Sequence, residues 1–297
     1  MRHPRLIEWL LVAAVMLAPT TCTPLVLCVP NDDSDGFFSQ GDCALTNRSS
    51  FRGHEWITVL GNQDLPAAER FPSREVAEIV EGNRRVDWPK ELLVHMAHSV
   101  VAYANAATAL QDRPENQPLH FLLGPDNDSA DATKLAREVI RSRTVLARAA
   151  WSEDRVVALT RIGEALHTIQ DSFSLAHAVR SPASAERPWC VEQVKAYITR
   201  APGFELPGHL YHGGRSGDTI GHITSLDSIY RSGRDCNDPR TQEAVEGCLG
   251  DEARQARLAT RDYLALVGAL VRDVESDDAD VDRALEGFFA VHVALCP

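Results

Sequence analysis

The stretch "HTIQDSFSLAH" sets His167, Asp171 and His177 at the spacing H-x3-D-x5-H. Imidazole nitrogens and carboxylate oxygens are the donor set that zinc favours. At about 100° per residue on a helix, Asp171 lies about 40° round from His167 and His177 about 80° the other way, so all three project from one side. A lone core histidine bonded to an aspartate one turn away is a common structural pair. The third residue, apolar surroundings that would make an unpaired Asp171 costly, and further histidines upstream favour ligands instead.

The upstream candidates are His54 in "FRGHEWIT", Asp87 in "EGNRRVDWP" and His120 in "NQPLHFLLGPD". Each stands beside a turn signal, where a loop can deliver a ligand to the mouth of a bundle. Taken singly, each is more often a surface residue. Trp56, Trp88 and Phe121 flank them and suit core packing, a head-group site or stacking on a base.

The elements that must position these residues are helical. "SREVAEIVEGN" starts at Ser73 and stops near Gly82, and "PKELLVHMAHSVVAYANAATAL" opens with Pro89. "DATKLAREVIRSRTVLARAAW" and "SEDRVVALTRIGEALHTIQDSFSLAHAV" follow, then "WCVEQVKAYITR", "TQEAVEGCLGDEARQARLATRDYLALVGALVRDV" and "DVDRALEGFFAVHVAL". "WITVL" is the one short strand candidate. The expectation is an all-α fold, a single multi-helix bundle domain over residues 51–297. The acidic run "RDVESDDADVDRALE" lacks the calcium-loop pattern and reads as a solvated face.

A formal net charge of -12 and the lack of a Lys/Arg run argue against a duplex nucleic-acid partner. Residues 1–22 have the basic start and apolar run of a secretory signal peptide, and residues 23–50 the turn-rich composition of an irregular segment. Export, to the exterior or the periplasm, is the expectation. The alternative is membrane anchoring, either through the run from Leu6 to Val29 if uncleaved or through lipid on Cys22. Seven cysteines without a C-x2-C pair argue against a cysteine-based zinc ribbon. Cys236 and Cys248 bracket a short polar segment and read as a disulfide loop in an oxidising compartment, whereas Cys43, Cys190 and Cys296 cannot be paired from sequence.

The blocks "HEWIT", "GNRRVDWP", "HFLLGPD" and "IGEALHTIQDSFSLAHAV", in that order, resemble the zinc-dependent phospholipase C superfamily. That superfamily includes bacterial phosphatidylcholine hydrolases, the N-terminal domain of alpha-toxin, single-strand zinc nucleases and Het-C proteins. The resemblance runs from about Phe51 to the C-terminus, and the helix block is its most specific part. It implies an all-α domain holding a cluster of two or three zinc ions in a cleft. By the family's pattern His54 binds one zinc, Asp87, His120 and His167 a second, Asp171 bridges, and His177 begins a third site. Asp87 and Asp171 are also the candidates for accepting a proton.

Two departures stand out. The family completes its third site with a later H-x3-E, which this chain lacks; His222 with Asp227 is the nearest substitute, and Asp218 and His212 are alternatives. Nor is there a tryptophan at a recognisable mature N-terminus, Phe51 being the nearest aromatic before His54. The resemblance implies a secreted phospholipase C acting on phosphatidylcholine or a related lipid at a membrane surface. A zinc nuclease or nucleotidase of the same superfamily, or a metal-stabilised, non-enzymatic protein of the Het-C kind, are the alternatives.

Overall fold

The 3.6-residue spacing of apolar side chains produces the helices of a computed structural model that describes residues 53–87, 113–124, 127–174, 177–181, 189–195 and 251–297. Helices α1 (Gly53–Gln63) and α2 (Ser73–Asp87) are followed by a 3-10 helix (Pro114–His120), α3 (Ser129–Ala150) and α4 (Arg155–Asp171). A hairpin of β1 (Ala178–Ser181) and β2 (Cys190–Val194) comes next, and α5 (Asp251–Arg272) and α6 (Asp278–His292) close the described chain. The architecture is mostly helical, with one small sheet among the described residues.

Helix α4 is the central element. Its buried residues run almost without a break from Ala158 to Asp171, because α1, α2, α3 and α5 all pack on it. It begins at an N-cap, Asp154, whose side chain accepts the Val157 N–H at 3.0 Å. The acidic run before α6 is put to the same use: Asp277 and Asp280 form a reciprocal capping box, as Asp128 and Asp131 do on α3.

Helices α2 and α4 approach unusually closely. A Cβ on Gly163 would lie 2.1 Å from the Ile79 carbonyl oxygen, and one on Gly82 would lie 2.3 Å from that of Thr160. Gly82 is therefore not the helix stop that its composition suggests; α2 continues past it to Asp87, and the glycine is there because backbone meets backbone. This close crossing brings the next residue, Asn83, within reach of His167.

Three expectations about elements are corrected. "WITVL" lies within helix α1, where Ile57, Thr58 and Leu60 are buried at helical spacing. The helix expected to run through Val179 ends at Asp171, and the segment expected as helix at Cys190 is strand. The hairpin is antiparallel from Ala178↔Val194 to Ser181↔Cys190, with a bulge between Val179 and Arg180. The C-terminal tail adds a parallel bridge, Val191↔Leu295, and Cys190 is disulfide-bonded to Cys296.

That disulfide closes a sequence separation of 106 residues. Loops of this length give the largest restriction of the unfolded chain, so Cys296→Ser is expected to lower the unfolding free energy by about 2–5 kcal/mol, measured by denaturant titration without reductant. Unchanged stability would show that the tail bridge alone suffices. Cys236 and Cys248 lie outside the described residues, as do the signal-like start and the segment opening at Pro89. Among the described residues no helix is long and apolar enough to cross a membrane.

Candidate metal centre

Four histidines and one carboxylate meet where α1, the 3-10 helix, α4 and the start of the hairpin converge. His54 sits in the first turn of α1, His120 ends the 3-10 helix, and His167 and Asp171 lie one turn apart at the end of α4. His177 arrives from the turn that leads into β1 and not, as its spacing suggests, from the helix face. His54, His167, Asp171 and His177 are fully buried and His120 is 2 % exposed, so these ligands form an interior cluster and not the mouth of a bundle.

The two oxygens of Asp171 divide the histidines. Oδ1 faces His54 Nε2 at 3.2 Å. Oδ2 faces His167 Nε2 at 2.9 Å, His120 Nδ1 at 3.3 Å and His177 Nδ1 at 3.6 Å. His167 Nε2 and His120 Nδ1 are themselves 3.1 Å apart. One donor atom from each of His54, His167 and Asp171 lies within 4.8 Å of the others, a buried group able to hold a metal ion. Two ligand atoms on one tetrahedral zinc, at bond lengths near 2.0–2.1 Å, are separated by about 3.3 Å; the contacts of Asp171 fall around that value.

Several of these contacts are not ordinary hydrogen bonds. His54 Nδ1 donates to Gln170 Oε1 at 2.7 Å and His167 Nδ1 donates to Asn83 Oδ1 at 3.1 Å. In the neutral ring each Nε2 then carries a lone pair, and both lone pairs are aimed at a carboxylate that can only accept. Among the described residues Asp171 Oδ1 accordingly accepts no hydrogen bond, and its nearest contact is His54 Nε2 at 3.2 Å. Among the described residues, the ionic partners of Asp171 are these histidines, with no Lys or Arg. A buried carboxylate needs compensating positive charge, so it must come from protons on the imidazoles or from a bound cation.

The electrostatics agree. Burial by itself pushes the Asp171 carboxyl up, but the electrostatic influence of His167 and His177, with the side-chain contacts of His120 and His167, holds it well below the usual carboxylate range. Burial pushes the His177 imidazole down, against the pull of Asp171 and of the His120 carbonyl. Burial thus favours a neutral His177 beside an anionic Asp171, the protonation states that a divalent metal requires.

The surrounding structure fixes the cluster. His177 Nδ1 donates to the His120 carbonyl oxygen, and the His177 carbonyl accepts the Lys195 N–H at 2.7 Å, which ties the histidine to the end of the hairpin. Phe121, directly after His120, is buried and adopts φ 51°, a left-handed conformation that is costly for an aromatic residue. Arg180 is buried beneath the C-terminus of α4. It donates to the Ser172 carbonyl at 2.6 Å, the Ser172 hydroxyl at 2.8 Å and the His292 carbonyl at 2.9 Å, and its guanidinium stacks on Phe173. Burial pushes Arg180 down to about 9. A positive charge at this helix end complements the helix dipole and anchors the residue next to Asp171.

No family model matches the chain, and no curated protein or solved structure matches it. The chemistry of the site itself must therefore carry the functional conclusion.

Of the expected ligands, the structure gathers His54, His120, His167, Asp171 and His177. Asp87 is the last residue of α2, and its side chain is outside the description. His212, Asp218, His222 and Asp227 lie outside the described residues, as does Trp88. Trp56 and Phe121 pack with the hydrophobic core. Sequence reasoning misses Asn83, Gln170 and Thr58, which support the histidines. Their one local signal is a polar residue at an otherwise apolar helix position, and their side-chain to side-chain bonds span 25 to 116 residues.

Proposed function

We propose that the chain is a zinc-dependent phosphodiester hydrolase of the phospholipase C type, exported from the cell and acting on phosphatidylcholine or a related phospholipid. The observation that supports it best is the division of four buried histidines between the two oxygens of Asp171. This is the arrangement expected of a carboxylate bridging two metal ions, with His54 on one side and His120 and His167 on the other. The donors gathered among the described residues are nitrogen and oxygen, which fits zinc.

Bound zinc would supply positive charge against the phosphoryl oxygens and make a water nucleophilic near neutral pH. The chain's own residues do the rest. Asp171 holds negative charge between the ligand sets, Asn83 and Gln170 orient the rings of His167 and His54, and Asp87 remains the candidate for a further ligand or proton acceptor. The Cys190–Cys296 disulfide supports an oxidising compartment.

Full burial of the gathered ligands favours a second reading, in which the metal is structural and the protein is a non-enzymatic, Het-C-like module. The deciding experiment is zinc reconstitution followed by assay on phosphatidylcholine vesicles, with single-stranded DNA alongside. Release of phosphocholine that stops on chelation and returns with zinc is the expected result. Cleavage of DNA alone would make the protein a nuclease, and bound zinc without turnover on either substrate would favour the structural reading.

A further inference from the structure

A neutral imidazole carries one N–H, and the atoms around it decide which nitrogen holds it. At His54 and His167 those atoms belong to amides, whose oxygen and nitrogen ends have the same shape. The orientations of Gln170 and Asn83 therefore need an independent anchor. Thr58 supplies one. Its hydroxyl has a single proton, donated to the backbone carbonyl of His54 at 2.8 Å, so Oγ1 can only accept from the side chains around it. Gln170 approaches that oxygen at 3.0 Å and Asn83 at 3.5 Å, and both must present their NH2 ends.

The consequences propagate in one direction. With its nitrogen on Thr58 and on Thr260 at 3.1 Å, Gln170 turns Oε1 towards His54 Nδ1 at 2.7 Å and towards Asn83 Nδ2 at 3.0 Å. Asn83, with its nitrogen thus engaged, leaves Oδ1 for His167 Nδ1 at 3.1 Å. Reversing either amide would set oxygen against oxygen at Thr58 or between the two amides. All these groups are buried, where such a mismatch costs most.

We propose that Gln170 is a positioning residue, oriented by the Thr58 hydroxyl, whose amide sets the tautomer of His54 directly and that of His167 through Asn83. One side chain thereby prepares an Nε2 lone pair on each side of Asp171. This rests on the metal reading only for the use to which the two lone pairs are put.

The test uses the full chain with 15N-labelled histidine, metal-free in mildly alkaline buffer, where long-range 1H–15N correlation reports the protonated nitrogen. Wild type is expected to hold the proton on Nδ1 in both rings. Thr58→Val, which keeps shape but removes the acceptor, is expected to shift one or both rings towards Nε2–H and to weaken zinc binding, measured by chelator competition, roughly 10–100-fold. Thr58→Ser restores the hydroxyl and should restore both readouts. If the Val variant does not fold, Gln170→Asn, too short to span Thr58 and His54, carries the same expectation. An Nε2–H on either ring of wild type, or variants with unchanged tautomers and affinity, would overturn the proposal. If wild type bound no zinc but both protons lay on Nδ1 and moved in the variant, the metal reading would fall and the positioning role would stand.

Discussion

If Asp171 bridges two ions as proposed, Asp171→Asn is expected to remove both at once. The amide keeps the shape of the carboxylate, but its nitrogen cannot ligate and the negative charge that balances two cations is gone. Zinc affinity should fall by more than the roughly 10–100-fold that follows loss of an outer-shell partner, and turnover on a phosphodiester should fall with it. The metal-free fold should survive. The NH2 of the introduced amide can donate to a histidine lone pair that the native carboxylate only repels, so the far-ultraviolet circular dichroism should match wild type. His54→Ala provides the contrast. His54 faces Oδ1 while His120, His167 and His177 face Oδ2, and it shares one metal-competent group with His167 and Asp171, so this variant should lose the ion that needs His54 while retaining more zinc than Asp171→Asn. Elemental analysis of both variants checks the pair, and full zinc retention in Asp171→Asn would remove the bridging role.

The second large effect is expected on chelation. With metal bound, the Asp171 charge is compensated by the cation; without it, compensation falls to imidazoles buried among apolar side chains, of which His177 is pushed towards its neutral form by burial. Metal present at about 1,000 times its Kd stabilises the folded state by about 4 kcal/mol, which for a domain of this size shifts Tm by roughly 8–16 °C. Thermal melts with and without chelator should therefore differ by about 10 °C, and zinc should restore the higher value. Coincident melts would mean that the cluster is held by hydrogen bonds alone.

How much of this was legible in the sequence depends on the range of the interactions. His167 and Asp171 form an i, i+4 pair within one continuous helix, and local periodicity sufficed to place them on one face. His177 could not be placed in that way. The helix stops at Asp171 because a buried arginine, a hairpin and a C-terminal tail from more than a hundred residues away engage the turn that follows. The strands were missed for the same reason. "CVEQV" pairs with partners that local propensity does not see, and helical spacing was the stronger nearby signal. In "WITVL" the β-branched run pointed to a strand, but burial of His54, Ile57, Thr58 and Gly61 on one face makes it a helix. Thr58 then returns its hydroxyl to the carbonyl four residues back. Gly82 looked like punctuation because composition cannot tell a helix end from a close helix crossing.

The most direct test of the central claim is anomalous diffraction at the zinc edge from crystals of the protein grown without chelator. The account expects one peak between Asp171 Oδ1 and His54 Nε2, and a second within coordination distance of Asp171 Oδ2, His167 Nε2 and His120 Nδ1. A well-ordered Asp171 with no anomalous density near either oxygen, and none after soaking in zinc, would contradict it.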